Sequence, residues 1–121
     1  MSEIQNSKQY DLEERTFIFA RDVRVFVKKF PRTVGNIEDG KQVIRSSCSI
    51  GANYIEANES LSKKDFLMRI KICRKESKES RYWLRLVDIG NNPELIVERE
   101  RLFKEAGELM MIFGSIMRKS K

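Results

Sequence analysis

Four stretches of this chain repeat apolar or small residues at alternating steps of four and three, a rhythm that leaves few folds open. The clearest runs from Ser62 to Gly90, where Phe66, Ile70, Cys73, Ser77, Ser80, Leu84 and Val87 keep the alternation. At about 100° per residue these positions line one side of a helix and form a seam for partner helices. Ser62 followed by Asp65 resembles a capping box with a shortened acid, and Gly90 can take the left-handed conformation that ends a helix. Near the start of the chain Leu12, Thr16, Phe19, Val23, Phe26 and Phe30 keep the same beat. Asp11 with Glu14 reads as the opening cap and Pro31 as the stop, while Phe17 and Val27 are expected to widen the apolar face. A second segment begins near Val34 to Asn36 and offers the inward line Ile37, Gly40, Ile44, Ser47, Gly51, Tyr54 or Ile55, and Asn58. Val43, Ile50 and Ala57 form a strip beside it. Each helical glycine costs roughly 0.5–1 kcal/mol relative to Ala, so Gly40 and Gly51 imply close helix approach or room for an aromatic ring from the first segment. After Asn92 and Pro93, read as N-cap and first helical residue, Leu95, Leu102, Ala106, Leu109, Phe113 and Ile116 form the last seam. Arg99 fills one of its register positions, and Met110, Met111 and Met117 enlarge the apolar surface.

These seams predict an all-α fold, an antiparallel up-and-down four-helix bundle with helices near 12–30, 34–60, 62–89 and 93–118. Residues 1–10 are polar and aperiodic and are expected to form a flexible N-terminal arm, with residues 11–121 a single bundle domain. A chain of 121 residues can bury a core without metals or crosslinks.

Charge is distributed unevenly along this frame. Between Ser62 and Gly90 there are nine basic side chains and four acidic ones, nearly the whole of the +6 excess. Lys64, Lys71, Arg74, Lys75, Lys78, Arg81 and Arg85 gather on one helical face beside the seam, with Tyr82 among them. Such a face points to an anionic partner, nucleic acid first and an acidic protein second. The competing reading is a solvated face with pairs such as Lys75 with Glu79. The second segment is the acidic counterpart, with Lys41 and Arg45 against Glu38, Asp39, Glu56 and Glu59. On the other side of the third seam Met68, Ile72, Trp83 and Leu86 form an extra apolar strip, expected to meet another subunit.

Catalysis is not expected. The chain has no histidine, which removes the commonest general base and metal ligand, and it carries no phosphate-binding glycine loop or nucleophile elbow. No metal or cofactor is implied. Glu56 and Glu59 share a helix face, and solvation accounts for them better than acid–base work. The polar seam residues Ser47, Asn58, Ser77 and Ser80 read as small groups hydrogen-bonded inside the bundle. Cys48 and Cys73 lack the CxxC spacing and fall on seams, so both are expected as buried free thiols in a cytoplasmic protein. No segment approaches the roughly 20 apolar residues that span a bilayer.

The stretches RSSCSIGANYIEANES, KKDFLMRIKICRKESKESRYWLRL and EDGKQVIRSS resemble the family of 23S ribosomal RNA intervening-sequence proteins. The resemblance covers Asp11 to about Phe113. Ser49 to Tyr54 match the family's second helix, and Glu56 follows where its acidic residue sits. It implies up-and-down bundles assembled into a closed homo-oligomeric ring, usually a pentamer, and it carries no catalytic role. A related branch, the accessory variability protein of diversity-generating retroelements, forms a basic pentameric barrel that binds nucleic acid and joins a reverse transcriptase. The leading expectation is therefore a non-enzymatic oligomer that binds nucleic acid, RNA above all. The alternative is an adaptor whose basic face docks an acidic partner such as a reverse transcriptase.

Overall fold

The computed structural model describes residues 2–120, with side chains from residue 11 onward. Four helices follow one another: α1 (Ser2–Lys28), α2 (Val34–Asn58), α3 (Lys63–Leu86) and α4 (Pro93–Lys119). Each packs against its neighbours in sequence, α1 also packs against α4, and α1/α3 and α2/α4 stand diagonally opposite. This is the expected four-helix bundle, and no strand occurs among the described residues. α1 begins at Ser2 rather than near residue 12, so residues 2–10, expected as an arm, are the first turns of this helix. Asp11 and Glu14 fall within α1 rather than at its start.

The other helix starts follow local chemistry. Thr33 caps α2 by accepting from the Asn36 N–H, and Ser62 caps α3 by accepting from the Asp65 N–H. Asn92 caps α4 by accepting from the N–H groups of Glu94 and Leu95, ahead of Pro93 at the first turn. Each cap satisfies donors that a helix start leaves unpaired.

The seams of α1, α3 and α4 are buried as read except toward one end of the bundle, where Phe66 and Ile116 are half-buried against the core. Leu12, Thr16, Phe19, Val23, Phe26 and Phe30 meet Ile70, Cys73, Leu84 and Val87 and Leu95, Leu102, Ala106, Leu109 and Phe113 in one core. The inward face of α2 is rotated from the expected line. Val43, Ile50 and Ala57 lie at its centre with Gly40, Ser47 and Tyr54, whereas Ile37 and Ile55 are 41% and 49% exposed. Phe17 is also outside, at 60%. The glycines of α2 admit β-branched side chains rather than rings. A Cβ on Gly51 would sit 2.9 Å from Thr16 Oγ1, and one on Gly40 3.0 Å from Val27 Cγ1. Across the α2–α3 contact the Ser46 and Ser80 hydroxyls share a hydrogen bond of 2.9 Å, and Ser77 donates to the Cys73 carbonyl. Ser47 donates to the Ile44 carbonyl, so Ser47, Ser77 and Ser80 are paired within the bundle as expected, whereas Asn58 Nδ2 is buried without a partner among the described residues.

α3 ends at Leu86, short of Gly90. Val87 turns to extended backbone (φ −60°, ψ 142°), and its carbonyl accepts from Arg99 Nη1 at 3.1 Å. Asp88 is held by a side chain from the first turn of α2. Asn36, only 3% exposed, donates to the carbonyls of Pro31 and Asp88 and accepts from the Asp88 N–H. One amide thereby ties the α1–α2 turn to the end of α3. Gly90, at φ +63°, turns the loop after this tie instead of capping the helix. Asn36→Leu leaves these part-buried backbone groups without their partner, each toward the lower end of the roughly 1–3 kcal/mol that a buried unpaired group costs. It is expected to cost about 2–4 kcal/mol in urea unfolding; a loss under about 0.5 kcal/mol, ordinary for surface positions, would show that the amide is not a tie.

Candidate nucleic-acid interface

The basic residues of α3 become an interface through the way its acids are used. Glu76, on the α2 side, is 6% exposed; its Oε2 accepts from Arg45 Nη1 at 3.0 Å. Glu79 also pairs with Arg45 and accepts from Trp83 Nε1 at 3.1 Å. Both mid-helix acids therefore point at α2, and the Lys75–Glu79 pair that helical spacing allowed is not formed. On the opposite flank, Arg15 pairs with Glu105 and Glu108, and Arg101 with Asp22 and Glu98, along the α1–α4 contact. The carboxylates hydrogen-bonded to Arg15 hold its guanidinium above its usual pKa range against the opposing effect of burial.

Between these two ion-paired contacts lies the α3–α4 groove, where the positive charge is left over. Among the described residues, none of Lys64, Lys71, Arg74, Lys75, Lys78, Arg81 and Arg85 forms an ion pair. Lys71, Arg74, Lys75 and Lys78 line one hollow with Met117. Arg74 continues into a second, shared with Met110, Met111, Gly114, Ser115 and Arg118. Two glycines of α4 make room for the arginines of α3. A Cβ on Gly114 would lie 3.4 Å from Arg74 Nε, and one on Gly107 3.4 Å from Arg81 Nε.

The seven residues are not equivalent. Lys64, Lys71, Arg74, Lys75, Lys78 and Arg85 are exposed. Arg81 is half-buried, with its guanidinium carbon 4.5 Å from the centroid of the Phe103 ring, a cation–π contact across the two helices. Its Nε is buried without an acceptor. Arg118, in the last turn of α4, joins the groove as well. Phe103 could have been found from its place among the small and flexible residues Gly107, Met110, Gly114 and Met117, which recur at the four-three spacing.

The apolar strip of α3 faces outward beside α2. Met68 and Leu86 are 49% and 51% exposed, while Ile72 and Trp83 are half-buried and Trp83 packs against the core. Tyr82 is largely exposed and meets Trp83 edge-on, centroids 5.0 Å apart. It packs on its own helix rather than bracing a neighbour.

Among the described residues no group of three or more His, Cys, Asp or Glu could hold a metal ion, and no helix is long and apolar enough to cross a membrane. Glu56 and Glu59 are exposed. Both cysteines are free. Cys73 is fully buried, donates to the Ile50 carbonyl at 3.3 Å, and has its thiol pushed up to about 12 by burial. Cys48 is only half-buried, because the rotation of α2 moves it toward the α1 side of the surface.

Comparison with known proteins places this geometry in context. Residues 8–110 match the family model described as 23S rRNA-intervening sequence protein. The crystal structure of a protein of unknown function from the S23 ribosomal protein family of Bacteroides thetaiotaomicron is similar, with a TM-score of 0.76 and 27% identity. The alignment covers 92% of this chain and 98% of that one. No curated protein matches.

Proposed function

The chain belongs to the 23S rRNA-intervening sequence protein family, and on that footing we propose that it is a non-enzymatic, homo-oligomeric RNA-binding protein. The observation that carries the proposal is the unpaired charge of α3. Arg45 occupies Glu76 and Glu79, so the exposed basics of the α3–α4 groove face solvent without internal partners. Phosphates are the complement to such a row, and backbone contacts of this kind position a nucleic acid without reading its sequence. The family is named for intervening sequences of 23S rRNA, and RNA is taken as the polyanion on that association.

The test is fluorescence polarisation of a labelled single-stranded RNA with poly-glutamate as competitor. RNA should bind and poly-glutamate should displace it poorly, because phosphates at a regular spacing match the groove better than flexible carboxylates. Absence of RNA binding rejects the proposal. Tight poly-glutamate binding without RNA binding supports the alternative, an adaptor docking an acidic protein such as a reverse transcriptase.

Self-association rests on a different face. Met68 and Leu86 expose apolar surface on the α2 side of α3, flanking the half-buried Ile72 and Trp83, and patches of this kind mark contacts with other chains. A ring, a pentamer by family resemblance, would repeat the basic groove around an axis and raise affinity through avidity.

A further inference from the structure

At the end of the α3–α4 groove, where α3 finishes and α4 begins, a cavity of about 340 Å³ is lined by Arg85, Arg99, Glu100 and Phe103. It is an open hollow of about the same size as those lined by Arg74 and Lys71, and its lining rather than its volume sets it apart. Its lining combines an aromatic ring, two guanidinium groups and a carboxylate. Arg99 is anchored by its bond to the Val87 carbonyl, and Phe103 is held by the Arg81 guanidinium.

The polar groups here do not satisfy one another. Among the described residues Glu100 forms no ion pair, although two arginines line the same cavity, and Arg85 forms none either. The neighbouring Arg81 Nε is buried without an acceptor. Glu100 and Arg85 are both exposed, so the carboxylate oxygens and the guanidinium N–H groups face solvent around the ring.

We propose that this cavity takes an unpaired guanine base, the base-reading element of the RNA site. The proposal rests on the reading of the groove as an RNA site and adds the one position where sequence is sensed. Arg81 covers one face of Phe103, which leaves the part of the ring that lines the hollow and the Arg85 guanidinium as surfaces for stacking, as in proteins that hold single-stranded bases. The Glu100 carboxylate presents two acceptor oxygens and no donor. Guanine alone places two donors, N1–H and the N2 amino group, side by side on its Watson–Crick edge. Adenine, cytosine and uracil each set an acceptor beside any donor there, which would face a carboxylate with repulsion. Arg85 also continues the row of charges that begins at Lys71, roughly 20 Å away along the helix at about 1.5 Å per residue. A strand whose phosphates follow that row reaches the cavity.

The experiment compares a labelled uridine homopolymer with the same strand carrying one central guanosine, using the full chain, and adds free GMP and UMP observed by NMR. One guanosine should tighten binding about tenfold, the lower part of the range for a bidentate base contact. GMP, but not UMP, should shift the resonances of residues 99–103. Glu100→Gln should remove the guanosine preference while leaving the uridine strand bound, because one carboxylate oxygen becomes an amino group facing a donor. Equal binding of the two strands, with no GMP-specific shifts, overturns the guanine site and leaves the basic groove standing. GMP-specific shifts without binding of either strand would reject the groove and support the cavity as a nucleotide site. A guanosine preference that survives Glu100→Gln overturns the assignment to this carboxylate.

Discussion

Converting Lys71, Lys75 and Lys78 together to Glu is expected to weaken RNA binding by about a hundredfold or more. An exposed unit-charge pair at close range is worth about 1 kcal/mol in water, and reversal replaces each attraction with a repulsion of similar size. Three reversals therefore change the balance by several kcal/mol before salt screening reduces it. The fold should be indifferent. All three lysines are exposed and without ion pairs, and Glu is nearly as good a helix former as Lys. Circular dichroism should show unchanged helicity, with the unfolding midpoint close to wild type. Binding within threefold of wild type would remove these residues from the site.

The second large effect concerns assembly. Met68→Asp with Leu86→Asp should convert an oligomer to monomers, read as a several-fold drop in mass by light scattering. The positions are chosen because both side chains are about half exposed. Trp83, by contrast, packs against the core, so a charge there would confound dissociation with unfolding. A stable interface buries about 800 Å² per partner and depends on a few apolar anchors near its centre, which two buried carboxylates would disrupt. A wild-type chain that is monomeric at micromolar concentration contradicts the assembly outright. An oligomer that persists in the double variant places its interface elsewhere.

How much of this could be read in advance depended on side-chain size. The core positions of α1, α3 and α4 were legible because Phe19, Phe26, Ile70, Leu84, Leu102 and Phe113 are large and recur at helical spacing. α2 was legible only in part: Gly40, Ser47 and Tyr54 of its expected line and the strip Val43, Ile50 and Ala57 are buried, but with so few large side chains the centre of the face was misplaced. The neighbouring Ile37 and Ile55 pull a hydrophobicity count toward the wrong side. Caps at Ser62 and Asn92 are local and were found. The Asn36 tie is not local, since it joins residues more than fifty positions apart, and no spacing rule announces it.

The basic face was visible as a pattern on one helix, but its significance was not. Helical spacing alone allows Lys75 to pair with Glu79. Only the packing of α2 against α3 brings Arg45 to Glu79 and withdraws that acid from the basic side. Likewise Phe103, Arg99 and Arg118 enter the groove through the approach of α4, which its glycines at 107 and 114 permit. Arg81, by sequence one more exposed cation, is instead spent partly on Phe103.

The central claim, that unpaired charge on α3 meets phosphates, is tested most directly by the salt dependence of RNA affinity. For single strands log K falls with log salt at a slope of about −0.7 per neutralised phosphate. Wild type should show a slope of roughly −3 if four or five of the exposed basics each engage one phosphate. The Lys71, Lys75 and Lys78 reversal should flatten whatever residual binding remains. A slope near zero in wild type, or one unchanged by the reversal, would contradict the account.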